Sequence, residues 1–261
     1  MIDMSNFEQK SIPKSLKDTC FESSSARTHM AQITSGKHGF PSDSKCGIIL
    51  HGPVGAGKTT LAHLIPDLME GTSIGLDCPW RPEYNIAKGN NGVEFLNKLN
   101  EFCYTSNING KYTYVILNEV NNLSHDAMSQ LKGIMDNHKK RVVFIMTTNE
   151  FYKLEAGVID RSYCFGFYNV PVCEWVDAME RVLGDYGIGA FSRQQLENIA
   201  KDFRGSGRNF ASEMKRLIAG YYEKCPREYA AYIANQTLQN ASLTHPPMLA
   251  LPAPQQTTAQ V

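Results

Sequence analysis

The spacing of apolar residues divides this chain into segments of different structure. Between residues 46 and about 168, short continuous apolar runs alternate with helical patterns. Such runs favour strands buried on both faces of a parallel sheet, and their alternation with helices is typical of βαβ units. From about 171 to 235, apolar residues recur only at three- and four-residue steps, which predicts helices. The strongest apolar runs are CGIILH (46–51), YTYVILN (112–118) and RVVFIMTTN (141–149).

The two ends of the chain lack this patterning. Residues 1–45 are polar and rich in Ser, Lys and Thr. No Asp, Glu, Lys or Arg follows Glu228, and the final Pro-, Ala-, Gln- and Thr-rich stretch cannot bury a core. We therefore expect four parts: a lead-in at 1–45, an α/β core at 46–168, a helical lid domain at 171–235 and a disordered tail at 236–261.

Composition narrows the class of protein. A chain of 261 residues has room for one large or two modest domains. Its 26 Lys and Arg balance 26 Asp and Glu, so any contact with nucleic acid must come from a local patch. The seven cysteines form no CxxC pair and the histidines no HExxH motif, which argues against zinc ribbons and disulfide frameworks. Since no apolar run reaches the roughly 18 residues of a bilayer span, we expect a soluble intracellular protein, cytoplasmic if bacterial or phage, without membrane contact.

The most specific motif directly follows the first apolar run. The stretch GPVGAGKT (52–59) fits the phosphate-loop pattern G-x-x-x-x-G-K-[ST], between a predicted strand and a predicted helix. Its glycines let backbone N–H groups surround phosphate oxygens, Lys58 reaches the β- and γ-phosphates, and the Thr59 hydroxyl ligates Mg²⁺. We expect Pro66 to kink or end the following helix early. The residues predicted to bind nucleotide are Gly52, Pro53, Val54, Gly55, Ala56, Gly57, Lys58, Thr59, Thr60 and Asn118.

The second apolar run ends in an unusual residue for this kind of site. Phosphate-loop ATPases hold Mg²⁺ with a carboxylate at the end of a neighbouring strand. YTYVILNEV (112–120) is the candidate strand, and it has Asn118 at that position, followed by Glu119. An amide still accepts a hydrogen bond from a metal-bound water but lacks the charge. The sequence thus predicts ATP binding with slow hydrolysis and a high Mg²⁺ requirement, unless another acid such as Asp77 supplies the charge.

The stretch LNEVNNLSHDAMSQLKGIMDNHKKRVVFIMTTN (117–149) resembles the small subunits of replication factor C and the phage clamp loaders, which are AAA+ ATPases. In that family an acidic strand end is followed by L-[ST]-x-D-A-x-x-x-L-[RK]-x-x-M-[ED] and a strand ending in Asn. IPKSLKDTC (12–20) is similar to the family segment that helps form the adenine pocket, and the likeness extends over about 10–235. It implies an α/β P-loop NTPase (AAA+) with a parallel sheet and flanking helices, followed by a small all-α lid domain.

The resemblance also implies roles for individual residues. Glu119 would polarise the attacking water, and Asn149 would be the sensor asparagine that helps orient it. Arg161, in VIDRSYCFGF, would enter the ATP site of a neighbouring subunit. Arg208, in FRGSGRNFASEM, would contact the γ-phosphate of its own chain, and Asn85 would hold the glutamate inactive until a ligand binds.

The function implied is that of an ATPase using ATP and Mg²⁺, assembled as an oligomer with a trans arginine finger. It would act as a clamp-loader-like remodeller in DNA replication, with DNA and a sliding clamp as partners. Because few residues follow 235, we expect the two ATPase subdomains without a counterpart of the helical collar domain of clamp loaders. Two alternatives stay open: an ATP-binding switch with slow or absent hydrolysis, and a helicase or transposase loader. The local source of DNA contact would be the helix after Ser124, with His125, Lys132, Lys139, Lys140 and Arg141, although a solvated charged face explains these residues equally well.

Overall fold

The centre of the molecule is a five-stranded parallel sheet. The computed structural model describes residues 4, 7–42, 44–71, 81–87, 92–104, 110–203 and 205–244. Within this part of the chain the strand order is β2-β3-β4-β1-β5, and every neighbouring pair runs parallel. The strands are β1 (Gly47–His51), β2 (Glu83–Asn85), β3 (Thr113–Asn118), β4 (Val142–Thr148) and β5 (Ser162–Gly166).

The three predicted strands form the middle of the sheet, and the two edge strands were not predicted. β2 has only three residues, and β5 contains exposed and half-buried positions, so neither carries a continuous apolar run. Edge strands have only one hydrogen-bonded neighbour and do not need such a run. The apolar pattern therefore predicted the three buried central strands but not the two edge strands, β2 and β5.

Both faces of the sheet are covered by helices. On β3, Val115 and Leu117 belong to one apolar core, whereas Tyr114 and Ile116 belong to a second core on the opposite face. This two-residue alternation, with no exposed side, produces the continuous apolar run seen in the sequence. The first core lies beneath α4 (Val93–Cys103), α5 (His125–His138) and α6 (Ala156–Asp160), and the second beneath α2 (Ser24–Thr34) and α3 (Lys58–Glu70).

The helix after the phosphate loop is longer than predicted. α3 continues through Pro66 to Glu70, and Gly71 follows it in the left-handed conformation with φ 69°. Pro66 itself is buried, and Met69 in the next turn packs into the core, so burial of the last turn offsets the lost hydrogen bond. The expectation that the helix would end at Pro66 was therefore wrong, because α3 continues for four more residues.

The C-terminal part of the described chain is helical and has its own core. It contains α7 (Val172–Asp185), α8 (Arg193–Ala200), α9 (Gly207–Lys224) and α10 (Pro226–Thr244). Trp175, Met179 and Ile218 are buried in this core, and so is Phe7 from α1 (Phe7–Ser11) of the lead-in. None of the described helices has the length and apolarity needed to cross a bilayer.

The last helix changes one sequence expectation. α10 extends through residues 236–244, which the composition had assigned to a disordered tail. These residues include no Pro, and their Ala, Gln, Leu and Asn are compatible with continuing a helix begun at Pro226. The remainder of that predicted tail, 245–261, lies outside the described residues, as does Asp77.

Candidate active site

The phosphate loop connects β1 to α3 at the carboxyl edge of the sheet. Gly55 and Gly57 adopt φ angles of 84° and 88°, a region that residues with a Cβ rarely occupy. A Cβ on Gly55 would also lie 3.1 Å from the Ser206 Oγ. α3 begins at Lys58, so its first backbone N–H groups and positive dipole end face this loop. The loop therefore has the glycine conformations and the helix N-terminus that an anion cradle requires.

Lys58 is buried in the loop, with only 6% of its surface exposed. Its Nζ donates to the carbonyl oxygens of Gly52 and Pro53 at 2.9 and 2.8 Å and to the Asn149 Oδ1 at 2.8 Å. Burial lowers the pKa of Lys58, the Glu119 carboxylate counteracts this shift, and the Arg208 charge adds to it. A bound triphosphate would add negative charge here and favour the protonated ammonium.

Asn149 joins the lysine to the candidate catalytic glutamate. It follows β4, and its Nδ2 donates to both carboxylate oxygens of Glu119, at 2.9 and 2.8 Å. Glu119 follows β3 with φ 55°, an uncommon backbone conformation for a residue other than glycine. Its N–H donates to the Thr147 Oγ1 at 3.3 Å. The structure thus brings Lys58, Asn149 and Glu119 into one hydrogen-bonded chain between the phosphate loop and the strand ends.

Asn118 has a different environment from the one expected of a metal partner. It is 5% exposed, and its Oδ1 accepts a hydrogen bond from the Thr147 hydroxyl at 3.0 Å. Its Nδ2 donates to the Glu83 carboxylate and to the Asn85 Oδ1. Asn85 was expected to restrain Glu119, but the strand register pairs Asn85 with Asn118 instead. In this structure Asn149 is the residue that holds Glu119.

The first turn of α9 lies against the phosphate loop. The Gly207 N–H donates to the Gly55 carbonyl at 2.7 Å. A Cβ on Gly55 would lie 3.6 Å from the Arg208 Cγ, which places the arginine stem beside the loop. Arg208 lines the same cavity as Lys58.

A cavity of about 510 Å³ lies between the sheet, the lead-in and the helical part. Residues 11–13 and 18–20 of the lead-in form one wall of this cavity, and Trp175 and Phe210 from the helical part form another. Glu119 and Asn149 line its phosphate end, whereas Asn118 is not part of the lining. The lining residues of the loop are Val54, Gly55, Ala56, Gly57, Lys58, Thr59 and Thr60.

Arg161 is far from its own chain's phosphate loop. It directly precedes β5, and its carbonyl accepts from the N–H groups of Cys46 and Gly47 at the amino edge of the sheet. The five-residue strand beside it separates this edge from the loop by about 15 Å. The guanidinium donates twice to the Asp136 carboxylate, at 2.8 Å each, and its side chain is 28% exposed. The structure does not bring Arg161 together with the other candidate catalytic residues.

Two of the basic residues around α5 are engaged by other groups of the protein. Ser124 caps the helix as predicted, because its Oγ accepts from the Ala127 N–H at 3.3 Å. Lys132 forms an ion pair with Glu155 at 2.9 Å. Arg141 donates to the Cys103 carbonyl at 2.5 Å, which ties it to the end of α4. At least two of the five candidate cations therefore have partners within the protein.

Sequence reasoning missed the carboxylate beside Asn118. Glu83 lies two residues before Asn85, to which the sequence analysis gave a role, but no role was assigned to Glu83 itself. The Thr147 hydroxyl, which contacts Asn118 and Glu119 at once, was also missed. Polar residues on or next to buried strands were the available signal, but the sequence did not give the strand order that brings them together.

Comparison with known proteins was made for sequence and for fold. The family model described as "ATPase family associated with various cellular activities (AAA)" matches residues 48–169. The chain is 27% identical over 147 residues to replication factor C small subunit 1 of Pyrobaculum arsenaticum. It is 25% identical over 166 residues to the replication factor C small subunit of Methanosphaera stadtmanae. These matches cover 54% and 62% of this chain but only 42% and 49% of those subunits, so the chain spans less than half the length of these curated relatives.

Solved structures give a fold match over most of the chain. The T158V variant of RuvB from Thermotoga maritima superposes with a TM-score of 0.63 at 16% identity, covering 87% of this chain and 73% of that one. A second Thermotoga maritima structure, the RuvB Holliday junction branch migration motor, matches with a TM-score of 0.61. At this identity the likeness concerns the fold, including the helical part after the sheet.

Proposed function

Because this chain carries an AAA-family ATPase domain over residues 48–169, we propose that it binds and hydrolyses ATP with Mg²⁺ as part of a clamp-loader-like oligomer acting in DNA replication. The observation that carries the proposal is the hydrogen-bonded chain from Lys58 through Asn149 to Glu119. It connects the phosphate loop to the carboxylate that would act on water in this proposal.

The residues present fit ATP and its metal. The cradle has positive-φ glycines and a helix N-terminus, and the cavity extends from it to the apolar wall formed with the lead-in. Thr59, in the first turn of α3, is exposed and would hold the metal through its hydroxyl. When bound, Mg²⁺ would neutralise the negative charge that develops on the transferring phosphoryl group.

Each of the candidate site residues would have its own role in binding ATP or in activating the attacking water. Lys58 would bind the β- and γ-phosphate oxygens in place of the loop carbonyls that now accept from it. Lys58 would also give up its hydrogen bond to the Asn149 Oδ1. That oxygen would then orient the attacking water together with Glu119. Glu119 would polarise that water and accept its proton. Arg208 would contact the γ-phosphate from α9 of the same chain, and Arg161 would complete the site of a neighbouring subunit.

The clamp-loader assignment rests on the relatives, and it extends to partners. Curated replication factor C subunits match this chain at low identity, and the 117–149 stretch carries the family pattern. DNA and a sliding clamp are accordingly the partners we propose. The expected result is that primed DNA and the clamp together stimulate steady-state ATP hydrolysis, whereas unchanged turnover in their presence would argue for a different partner.

A switch that binds ATP and hydrolyses it slowly is the second candidate. Asn118 stands where an acid is expected, and Asn149 engages both oxygens of Glu119. A carboxylate occupied in this way must exchange a partner before it can act on water. Single-turnover hydrolysis far slower than ATP dissociation would favour this candidate.

The experiment that tests ATP binding and hydrolysis compares Lys58→Ala with Glu119→Gln. Lys58→Ala removes the buried cation of the cradle, so a fluorescent ATP analogue should no longer bind. Glu119→Gln should bind the analogue normally but release phosphate at least about a hundredfold more slowly, the scale of lost general-base catalysis. Lys98→Ala is the matched control, since this lysine is 74% exposed and pairs with Glu94 of the same helix. Unchanged analogue binding by Lys58→Ala would contradict the phosphate-loop assignment.

A further inference from the structure

Glu83 is the carboxylate that directly contacts the residue at the expected metal position. β2 and β3 are parallel neighbours, with Glu83 paired in register with Ile116 and Asn85 with Asn118. The Glu83 Oε1 accepts a hydrogen bond from the Asn118 Nδ2. The negative charge that Asn118 lacks is therefore present one side chain away, on the adjacent strand.

Both ends of the Asn118 amide are already engaged. The Nδ2 is used by Glu83 and Asn85, and the Oδ1 accepts from the Thr147 hydroxyl at 3.0 Å. Asn118 thus connects β2, β3 and β4, and its side-chain oxygen is used by the hydrogen bond from Thr147. An aspartate at position 118 would repel Glu83, whereas an amide stabilises the Glu83 carboxylate by donating to it.

The second oxygen of Glu83 points to the helix that carries the metal-binding threonine. The His63 Nε2 lies 3.1 Å from the Glu83 Oε2. His63 and Thr59 are four residues apart on α3, so they share one helix face with Cβ atoms about 6 Å apart. The Glu83 side chain is 31% exposed, which leaves it accessible to a hydrated cation. Its carboxylate therefore lies between His63 of α3 and Asn118 at the end of β3.

We propose that Glu83 supplies the negative charge of the magnesium site in place of the missing strand-end acid at Asn118. This inference rests on the proposed ATP-binding function and assigns a further residue to it. Glu83 acts on the metal through metal-bound water, since Mg²⁺ in nucleotide sites keeps several of its waters. Asn118 is then a positioning residue that holds the Glu83 carboxylate, and the site does not have the high Mg²⁺ requirement that the sequence alone predicted.

The experiment measures Mg²⁺ binding rather than turnover. The Mg²⁺ concentration that gives half-maximal binding of a fluorescent non-hydrolysable ATP analogue is determined for the wild type and Glu83→Gln, and analogue affinity is also measured in EDTA. The glutamine keeps an acceptor for the Asn118 Nδ2 but removes the charge. We expect the Mg²⁺ midpoint to rise by about tenfold, the scale of one charged contact, with the EDTA affinity unchanged.

Two further variants separate a metal role from a structural one. His63→Gln removes the histidine side of the pair but leaves the carboxylate, so its Mg²⁺ midpoint should match the wild type. The double variant Glu83→Gln/Asn118→Asp moves the charge one side chain over and should recover most of the lost Mg²⁺ affinity. An unchanged midpoint in Glu83→Gln, or an equal rise in His63→Gln, would overturn the inference while leaving the proposed function intact. Failure of the wild type to bind the analogue at any Mg²⁺ concentration would overturn both.

Discussion

Individual side chains at this site are positioned mostly by other polar side chains. Asn149 uses its oxygen for Lys58 and its nitrogen for Glu119, so one amide orients both charged residues. The Thr147 hydroxyl has a comparable role behind them, because it contacts Asn118 and the backbone of Glu119. Buried polar groups of this kind are costly when one partner is removed. Single substitutions in this network should therefore affect both stability and hydrolysis.

Thr147→Val tests this network with a change of nearly constant volume. Thr147 is 1% exposed, so valine leaves the Asn118 Oδ1 and the Glu119 N–H without their present partner in a buried site. We expect a loss of about 1–3 kcal/mol in the free energy of unfolding. Each kcal/mol corresponds to a melting temperature lower by about 2–4 °C for a chain of this size. ATP hydrolysis should also fall, because Glu119 loses a backbone contact.

The matched control for this prediction is Thr28→Val. Thr28 is exposed on α2, and its hydroxyl donates to the carbonyl four residues earlier in the same helix. Its melting temperature should stay within about 2 °C of the wild type, since exposed substitutions usually change stability by less than about 0.5 kcal/mol. Equal melting temperatures for both variants would show that the Thr147 network contributes nothing to stability.

The direction of the strands decides at which edge of the sheet each of these side chains lies. β1, β3 and β4 run parallel, so their carboxyl ends meet at one edge of the sheet, where the phosphate loop, Glu119 and Asn149 follow them. The same rule places Arg161 at the opposite edge, because it comes before β5 rather than after it. The sheet thus separates Arg161 from the phosphate loop, Glu119 and Asn149 of its own chain.

The start of α3 tests how far the phosphate loop depends on its backbone. Gly57→Ala places a Cβ on a residue with φ 88°, and this should cost about 1–2 kcal/mol of unfolding free energy. Analogue binding should weaken as well, because the adjacent N–H groups shift. Gly133→Ala is the matched control: this glycine is exposed within α5, with open space around it, and alanine there should stabilise the fold by about 0.5–1 kcal/mol. Urea unfolding measures both, and a stabilised Gly57→Ala would contradict the required left-handed conformation.

At the scale of the whole molecule, the nucleotide cavity is assembled from distant parts of the chain. The lead-in contacts α7 through the Arg27–Glu174 ion pair and through the Phe21 N–H, which donates to the Glu174 carboxylate. Phe7 of the same lead-in is buried in the helical core. The polar lead-in is thus a structural link between the sheet and the helical part, although its composition alone suggested little order.

Arg161→Ala tests whether the ATP sites are shared between subunits. ATP affinity should stay near the wild-type value because Arg161 is remote from its own phosphate loop. Turnover should fall by about 10³-fold or more, the scale of a lost trans arginine. Mixing this variant with Glu119→Gln should restore part of the activity, because some interfaces then combine an intact Arg161 with an intact Glu119. Steady-state phosphate release measures each protein and the mixture.

Asp136→Asn is the control for the Arg161 ion pair. Asp136 is 48% exposed, and a pair of this kind contributes about 1 kcal/mol or less to stability. Its loss leaves the guanidinium in place, so turnover should be retained. If Asp136→Asn abolishes turnover as completely as Arg161→Ala, the arginine acts by stabilising its own chain and not a neighbouring site.

The sequence by itself determined the features that depend on neighbouring residues. The phosphate loop needs glycine, lysine and threonine at fixed spacing, and the strand before it needs continuous apolarity, so both could be read from 46–60. The central strands were predicted for the same reason, as were the helices of 171–235. These features depend on local backbone geometry and burial, so the spacing of residues along the chain is enough to predict them.

Only the tertiary structure decided which polar side chains meet. Glu83 and Asn118 are 35 residues apart, and Glu119 and Asn149 are 30 apart. Their contacts depend on β3 lying between β2 and β4 and on the strand register, and one residue of slippage would turn each side chain to the other face. The carboxylate beside Asn118 could not be found from the sequence, because no local pattern encodes the position of an edge strand.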